Sequence, residues 1–310
     1  MAQDHSTSHI IQSLIANSVI AVAKGVAAVY TGSGAMLAET LHSLADCGNQ
    51  LLLLLGVNRS RRPPTPSHPL GYGAELYFWS FMVALLLFAG GGLFSLYEGV
   101  HKLQAPEPVH NVWLAMVILG FSVVIEGWAT FNNLREMKKR RGSKPLLRYL
   151  RETKDSDLVV VFGENSAAVL GLLLAMLALF VAWLTGDGRW DAIGSLAIGV
   201  VLIAVAVFLA VEVKSLLVGE RADPEIDEAV HRLVREDRRV LEVLQVVTIQ
   251  QGPGEVLLAL KIRVEPTLSA LELCCLINDF EARLRALRPE VRWCFVEPDH
   301  PQPTSPALTG

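Results

Sequence analysis

The feature that most constrains this chain is a series of apolar segments long enough to cross a lipid bilayer. A transmembrane helix needs about 20 mostly apolar residues, because lipid offers no hydrogen-bond partners to the backbone. Four segments satisfy this requirement clearly, and two earlier ones are as long but are interrupted by polar side chains. The six predicted spans are residues 10–30, 34–57, 78–97, 112–131, 167–184 and 192–211.

The composition agrees with a membrane protein. Of the 310 residues, 52% are hydrophobic and 19% are charged, whereas a soluble domain carries about 25% charged residues. The net charge of −4 argues against a nucleic-acid partner bound through phosphate contacts. Residues 219–310 hold 11 basic and 16 acidic residues, so we expect a soluble domain after the membrane domain at 10–218.

Basic loop residues predict the orientation in the membrane. Loops 58–73 and 134–156 hold three and nine Lys or Arg residues, whereas the opposite loops hold only Lys102 and Arg189. Because positively charged loops stay in the cytoplasm, both termini are expected there, with residues 1–9 as a short tail. The brief loops, and a beginning without a signal-peptide pattern, favour a bacterial inner membrane over an organelle membrane.

Residues 219–299 are predicted to form a small cytoplasmic α+β domain of ferredoxin-like type. The periodicity gives a helix, two strands, a second helix and a third strand, with a hairpin turn at 251–254. Ser269 followed by Glu272 has the spacing of a helix capping box. Residues 300–310 contain three prolines and are expected to be disordered. The adjacent Cys274 and Cys275 lie in an apolar stretch and are predicted to be reduced core residues.

The second predicted span carries ionisable residues where apolar ones are expected. Taken at 100° per residue, they fall on one arc of about 100° around a helix. An ionisable residue inside a span costs roughly 2.5–3.5 kcal/mol on insertion scales, so the arc is interpreted as functional. It should face the bundle interior or a water-filled cavity. Its members are Glu39, His42, Asp46, Asn49 and Gln50.

His42 and Asp46 lie one helical turn apart, a spacing that lets both bind one divalent ion. The imidazole favours zinc, cobalt, nickel or iron, whereas carboxylates alone would favour magnesium, calcium or manganese. The alternative is a His–Asp hydrogen bond that only holds helices together.

Charges in other spans offer further candidates. In the fifth span, Glu164 can supply the second half of the site, and Asn165 can add an amide oxygen. Glu126 and Asp191 are single charges that either line a transport path or form structural pairs, for example with Lys24. Lys24 is interpreted as structural, because a fixed positive charge beside a cation path needs a carboxylate partner.

Four stretches together resemble the cation diffusion facilitator family, from about Ile10 to Asp299. The resemblance implies a proton-coupled exporter of divalent transition metals, usually zinc, that works as a homodimer by alternating access. The metal is then a substrate, and no cofactor is required. The stretches are TGSGAMLAETLHSLADCGNQ, HPLGYGAELYFWS, ENSAAVLG and WDAIGSLAIG.

The resemblance also implies a ligand set. The family site uses two residues of the second span and two of the fifth, each pair four residues apart. His42 and Asp46 match the first pair, but the second pair falls on Val161 and Asn165, where the family commonly has His or Asp and then Asp. A branch of the family has Glu-Asp where this chain has Glu164-Asn165, so Glu164 is expected to replace the missing ligand.

Two other functions compete with export. A membrane metal sensor or regulatory subunit that binds without transporting is favoured by the neutral Asn165. A membrane enzyme is disfavoured, because neither an HExxH nor a GxSxG motif occurs in the sequence. In the soluble domain the candidates for a further metal site are His231, Asp299 and His300, and their spacing forms no site.

Overall fold

In a computed structural model of the chain, the described residues are 2–105, 111–142, 145–152 and 156–299. They divide into two compact units. The first is helical and takes in the chain up to Pro63 and the helices between Glu75 and Lys214. The second contains Pro64–Ala74 and the described chain from Ser215 onward.

The helical unit consists of long helices joined by short connections. The helix from Glu75 to Gln104 is continuous but contains one π-helical stretch. The first helix begins at Ala2, within the segment predicted to be a tail. The helices are α1 (Ala2–Thr31), α2 (Gly34–Ser60), α3 (Glu75–Leu86), the π-helix (Leu87–Leu93), α4 (Phe94–Gln104), α5 (Val112–Arg141), α6 (Leu146–Glu152), α7 (Ser156–Thr185) and α8 (Arg189–Val218).

Four helical segments of the described chain are long and apolar enough to cross a membrane. They are Glu75–Gln104, Val112–Lys139, Val159–Thr185 and Arg189–Val218, which match the last four predicted spans. The helix α2 has sufficient length, but its polar residues make it less apolar than these four segments, and the N-terminal part of α1 lies outside the side chains that the structure describes. The count of six spans therefore stays a prediction.

Glycines let the third span approach α8 closely. A Cβ at Gly92 would lie 2.5 Å from Ile203 Cγ1, and one at Gly99 would lie 2.7 Å from Leu196 Cγ. Helices in lipid associate through close van der Waals packing, which small residues permit. A larger residue at either glycine would force the two helices apart.

The turn between α1 and α2 is held by Asp191 at the start of α8. Its carboxylate accepts hydrogen bonds from Ser33 Oγ and Gly34 N, both at 2.5 Å, and lies 3.8 Å from Lys102 Nζ. A negative charge at a helix N-terminus is favourable, because the first backbone N–H groups have no partner within the helix. Asp191 therefore fixes the N-terminal end of α2, which favours the structural one of its two open interpretations, with Lys102 rather than Lys24 as the nearby cation.

The second unit is a three-stranded sheet with two helices. The strands lie in the order β1-β2-β3, with β1 and β2 antiparallel and β2 and β3 parallel. The predicted order of elements is confirmed. The order along the chain is that of a β-α-β-β-α-β unit without its first strand, and the ferredoxin-like type stays a prediction. The elements are α9 (Pro224–Glu236), β1 (Val240–Gly252), β2 (Glu255–Val264), α10 (Ala270–Leu287) and β3 (Val291–Pro298).

Local sequence signals account for the N-terminal end of α10 and for its buried face. Ser269 N donates to Glu272 Oε2 at 2.8 Å, and Glu272 N donates to Ser269 Oγ at 3.3 Å, so the predicted capping box is confirmed. Leu276, Phe280 and Leu284, spaced by four, are buried in the core of this unit.

The segment Pro64–Ala74, which carries the HPLGYG motif, belongs to this second unit. Gly73 meets the end of β1 backbone to backbone. A Cβ at Gly252 would lie 2.7 Å from Gly73 Cα, and a Cβ at Gly73 would lie 2.9 Å from the carbonyl oxygen of Gln251. Glycine at both positions permits this contact.

The prediction that Cys274 and Cys275 are core residues is wrong. Both are exposed, because the buried face of α10 is formed by Leu276, Phe280 and Leu284. Cys294 on β3 is the buried cysteine, and burial raises the pKa of its thiol to about 12.

We expect thiol reagents at pH 8 to label Cys274 and Cys275 much faster than Cys294. The reactive species is the thiolate, and a thiol with a pKa of about 12 stays protonated well above that pH. Mass spectrometry of the intact protein after timed alkylation measures each site. Labelling of Cys294 at the rate of Cys274 would contradict the placement of β3 in the core.

Candidate metal centre

The polar arc on α2 lies inside the helical unit. Glu39, His42 and Asn49 have no exposed side-chain surface, and Asp46 is 8% exposed. This is the inward orientation that the 100° spacing predicts.

His42 and Asp46 lie close together without a hydrogen bond. His42 Nδ1 is 3.7 Å from Asp46 Oδ1, beyond the length of a hydrogen bond. Neither ring nitrogen of His42 has a hydrogen-bond partner among the described residues. Since buried polar groups are normally hydrogen-bonded, these nitrogens are suited to an additional ligand rather than to a purely structural pair.

Glu164 reaches the α2 arc from α7. Asn49 Nδ2 donates a hydrogen bond to Glu164 Oε1 at 2.6 Å, and both side chains are buried. This bond links the helix of His42 and Asp46 to the helix of the second predicted pair. Asn49 was identified as a member of the arc, but its contact with Glu164 depends on the packing of two helices and has no signal in the sequence.

A cavity of about 450 Å³ lies among α1, α2, α5 and α7. Three carboxylates line it, each from a different helix: Asp46, Glu126 and Glu164. Several acidic groups around one internal space attract cations, because charge interactions are strong where the dielectric constant is low. The other lining residues are Asn17, Gln50, Leu53, Ala129, Asn133, Val161, Asn165 and Ala168.

The predicted ligands are only partly assembled. Asp46, Glu164 and Asn165 line the same cavity, whereas His42 is not on its wall. Within the part of the chain that the structure describes, no three His, Cys, Asp or Glu side chains are grouped closely enough to hold an ion. Joint coordination by His42, Asp46 and Glu164 would therefore require side-chain movement.

Glu126 is the cavity residue for which the sequence left two readings open. It is 7% exposed and lies in α5. Its helix is joined to α7 through Thr130, whose Oγ1 donates to the backbone oxygens of Glu126 at 2.8 Å and Asn165 at 3.3 Å. In the sequence, Glu126 is a single carboxylate in an otherwise apolar span, and this pattern does not show which groups the side chain faces.

Lys24 has a carboxylate partner in Glu39, as its structural interpretation requires. Its Nζ lies 3.2 Å from Glu39 Oε2 and donates to Ser43 Oγ at 2.8 Å. Of the two interpretations left open for Glu126, its place on the cavity wall favours the transport path, since Lys24 is held on α2.

Among the described residues of the second unit, no group of His, Cys, Asp or Glu side chains could hold a metal ion. His231 is exposed on α9, and Asp299 lies beside Lys261, with Nζ 3.2 Å from Oδ2. His300 lies outside the described residues.

Comparison with known proteins identifies relatives of this chain. The sequence model of the cation efflux transmembrane domain matches residues 10–218. The mitochondrial proton-coupled zinc antiporter SLC30A9 of Xenopus laevis is 35% identical over 235 residues, which cover 75% of this chain and 42% of that protein. Metal tolerance protein C4 of Arabidopsis thaliana is 33% identical over 72% of this chain and 50% of its own length.

A third relative matches over most of its length. The cation-efflux pump FieF of Yersinia enterocolitica is 25% identical over 274 residues, 86% of this chain and 84% of that protein. By contrast, the chain spans about half or less of the length of the first two relatives.

We expect Asn49→Ala to destabilise the helical unit by about 1–3 kcal/mol, because it removes the hydrogen bond to the Glu164 carboxyl group. Thermal unfolding of the purified protein in detergent measures the change. The control is Asn133→Ala, an amide on the same cavity whose Oδ1 has no hydrogen-bond partner among the described residues. Equal effects of the two substitutions would show that the link between α2 and α7 is unimportant.

Proposed function

The chain belongs to the cation efflux family, a family of membrane transporters, and on that basis we propose that it exports a divalent transition metal, foremost zinc, in exchange for protons. The observation that carries the proposal is the cavity with one carboxylate from each of α2, α5 and α7. The name of the Xenopus relative, a proton-coupled zinc antiporter, supports both the metal and the coupling ion.

In this proposal the metal binds His42, Asp46 and Glu164, with Asn165 or water completing about four ligands. The cavity brings the ion to Asp46 and Glu164, and movement of His42 adds the imidazole nitrogen. Metal and protons compete for the same lone pairs, so protonation on one side of the membrane releases the metal. Alternating access then results from a rearrangement that opens this site first to the cytoplasm and then outward.

The membrane topology is part of the proposal. We place α1 and α2 in the membrane as a hairpin, giving six spans with both termini in the cytoplasm. The side of α1 away from the core is apolar, with Val19, Val22, Val26 and Val29 at 51–86% exposure. Such a face suits contact with lipid, and the low hydropathy of α2 comes from polar side chains that point inward. A homodimer in a bacterial inner membrane is the expected assembly and location.

A membrane metal sensor that does not transport is the second candidate function. It is favoured by the neutral amide of Asn165 and by the absence, among the described residues, of a preformed group of three ligands. Metal binding without flux in vesicles would support the sensor over the exporter.

His42→Ala or Asp46→Ala should abolish metal-driven proton flux, because each removes a proposed ligand. The assay is zinc uptake into proteoliposomes with an imposed pH gradient and an internal pH dye. His101→Ala and Asp187→Ala are the matched controls, since both side chains are exposed at helix ends. Undiminished flux in the His42 and Asp46 variants would refute the site.

Asn165→Asp should lower the apparent KM for zinc and raise transport of manganese relative to zinc, because an anionic oxygen replaces a neutral one. A metal-by-metal uptake series in the same proteoliposomes tests this. Asn133→Asp adds the same charge to the cavity at a position outside the proposed ligand set. If both variants change the metal series alike, Asn165 acts through charge alone and is not a ligand.

A further inference from the structure

A second buried charge cluster lies on α2, one helical turn from His42. Lys24 of α1 and Glu39 of α2 are both fully buried, with Nζ and Oε2 3.2 Å apart. The ammonium group also donates to Ser43 Oγ at 2.8 Å. Lys24 therefore has two acceptors on α2 and can keep one if it leaves the other.

Glu39 uses only one of its carboxylate oxygens in this pair. Among the described residues, Oε1 has no hydrogen-bond partner although it is completely buried. It lies against α7 at Gly171, where a Cβ would overlap with Oε1. A carboxylate oxygen in this condition is suited to a ligand, because leaving a buried polar atom unpaired is costly.

The position of this oxygen continues the proposed metal site. The helices α2 and α7 meet at Asn49 and Glu164, and they meet again at Glu39 and Gly171. Seven residues separate the two contacts on α7, a rise of about 10 Å. Asp46 and His42 lie between them on α2, so acidic oxygens and the imidazole follow one seam from the cavity toward the α1–α2 turn.

We propose that Glu39 forms a second binding site for the transported cation, outward of His42, called the second station below. Lys24 occupies this site with its ammonium group whenever the metal is absent. This inference rests on the proposed export function. A divalent ion bound by Glu39 and His42 repels the ammonium group, which remains on Ser43. Return of Lys24 to Glu39 then displaces the metal, and its attachment to α1 keeps its local concentration high.

A purely structural ion pair would respond differently to substitution than a transport site. Breaking such a pair leaves a buried unpaired charge and destabilises the fold, whereas replacing both partners by neutral groups of similar size is often harmless. The double substitution Lys24→Met with Glu39→Gln therefore separates the two roles. The double variant contains no unpaired buried charge, but it lacks both the Glu39 carboxylate that would bind the metal and the Lys24 ammonium group that would replace it.

The test is zinc transport kinetics in proteoliposomes, with thermal unfolding of each variant measured alongside. The Lys24→Met/Glu39→Gln variant should keep the unfolding midpoint of the original protein while its maximal rate falls at least about ten-fold, because losing a group that binds the ion costs no less than losing one behind the ligands. A maximal rate and KM equal to those of the original protein would overturn the proposal.

Lys24→Arg supplies a variant that keeps the buried charge pair. A guanidinium group can bind both oxygens of a carboxylate at once, so it should hold Glu39 more firmly than the ammonium group does. We expect normal or higher thermal stability with a reduced maximal rate. A fully active Lys24→Arg protein would overturn the proposal even if the double variant failed to fold.

The same assay distinguishes failure of this inference from failure of the proposed function. If the original protein transports zinc, His42→Ala does not, and both Lys24 variants are fully active, only the second station is refuted. If the original protein binds zinc but transports none, the export function is refuted, and the second station is refuted with it.

Discussion

The placement of charged side chains between helices that face lipid is the constraint on which this structure depends. A charge inside a span must find a partner or a water-filled space. Lys24 is paired with Glu39, Asp191 satisfies the N-terminus of α2, and Glu164 accepts a hydrogen bond from Asn49. Glu39, His42 and Asp46 are among the residues whose buried polar atoms have no hydrogen-bond partner in the described part of the chain, and on the proposed function these three mark the path of the ion.

Features that depend on local periodicity could be predicted from the sequence. The arc of polar residues on α2 follows from 100° per residue, and the strands of the second unit follow from alternation around a Gly-Pro-Gly turn. The capping box at Ser269 is likewise a relation between residues three apart. In each case the residues that determine the structure are neighbours in the chain, so their pattern is sufficient.

Features that depend on the rotation and contact of different elements could not be predicted in this way. The partner of Lys24 is Glu39 rather than Glu126, because the rotation of α1 against α2 decides which carboxylate it meets. Cys274 and Cys275 lie in an apolar stretch, yet α10 turns them outward. The contact between Gly73 and Gly252 joins segments about 180 residues apart and leaves no periodic pattern.

The surroundings of Glu164 explain how a site could work with a neutral Asn165 where the family resemblance implies an aspartate. These neighbours lie about 100° apart on α7, so a carboxylate at 164 points toward a different side from one at 165. Glu164 faces α2, where Asn49 donates to it, whereas the backbone oxygen of Asn165 accepts a hydrogen bond from Thr130 of α5. Glu126 supplies a carboxylate from α5. The cavity thus keeps acidic oxygens on three sides although residue 165, where the resemblance implies an aspartate, is neutral. On the proposed function, carboxylates on the neighbouring faces supply the acidic oxygen that Asn165 does not.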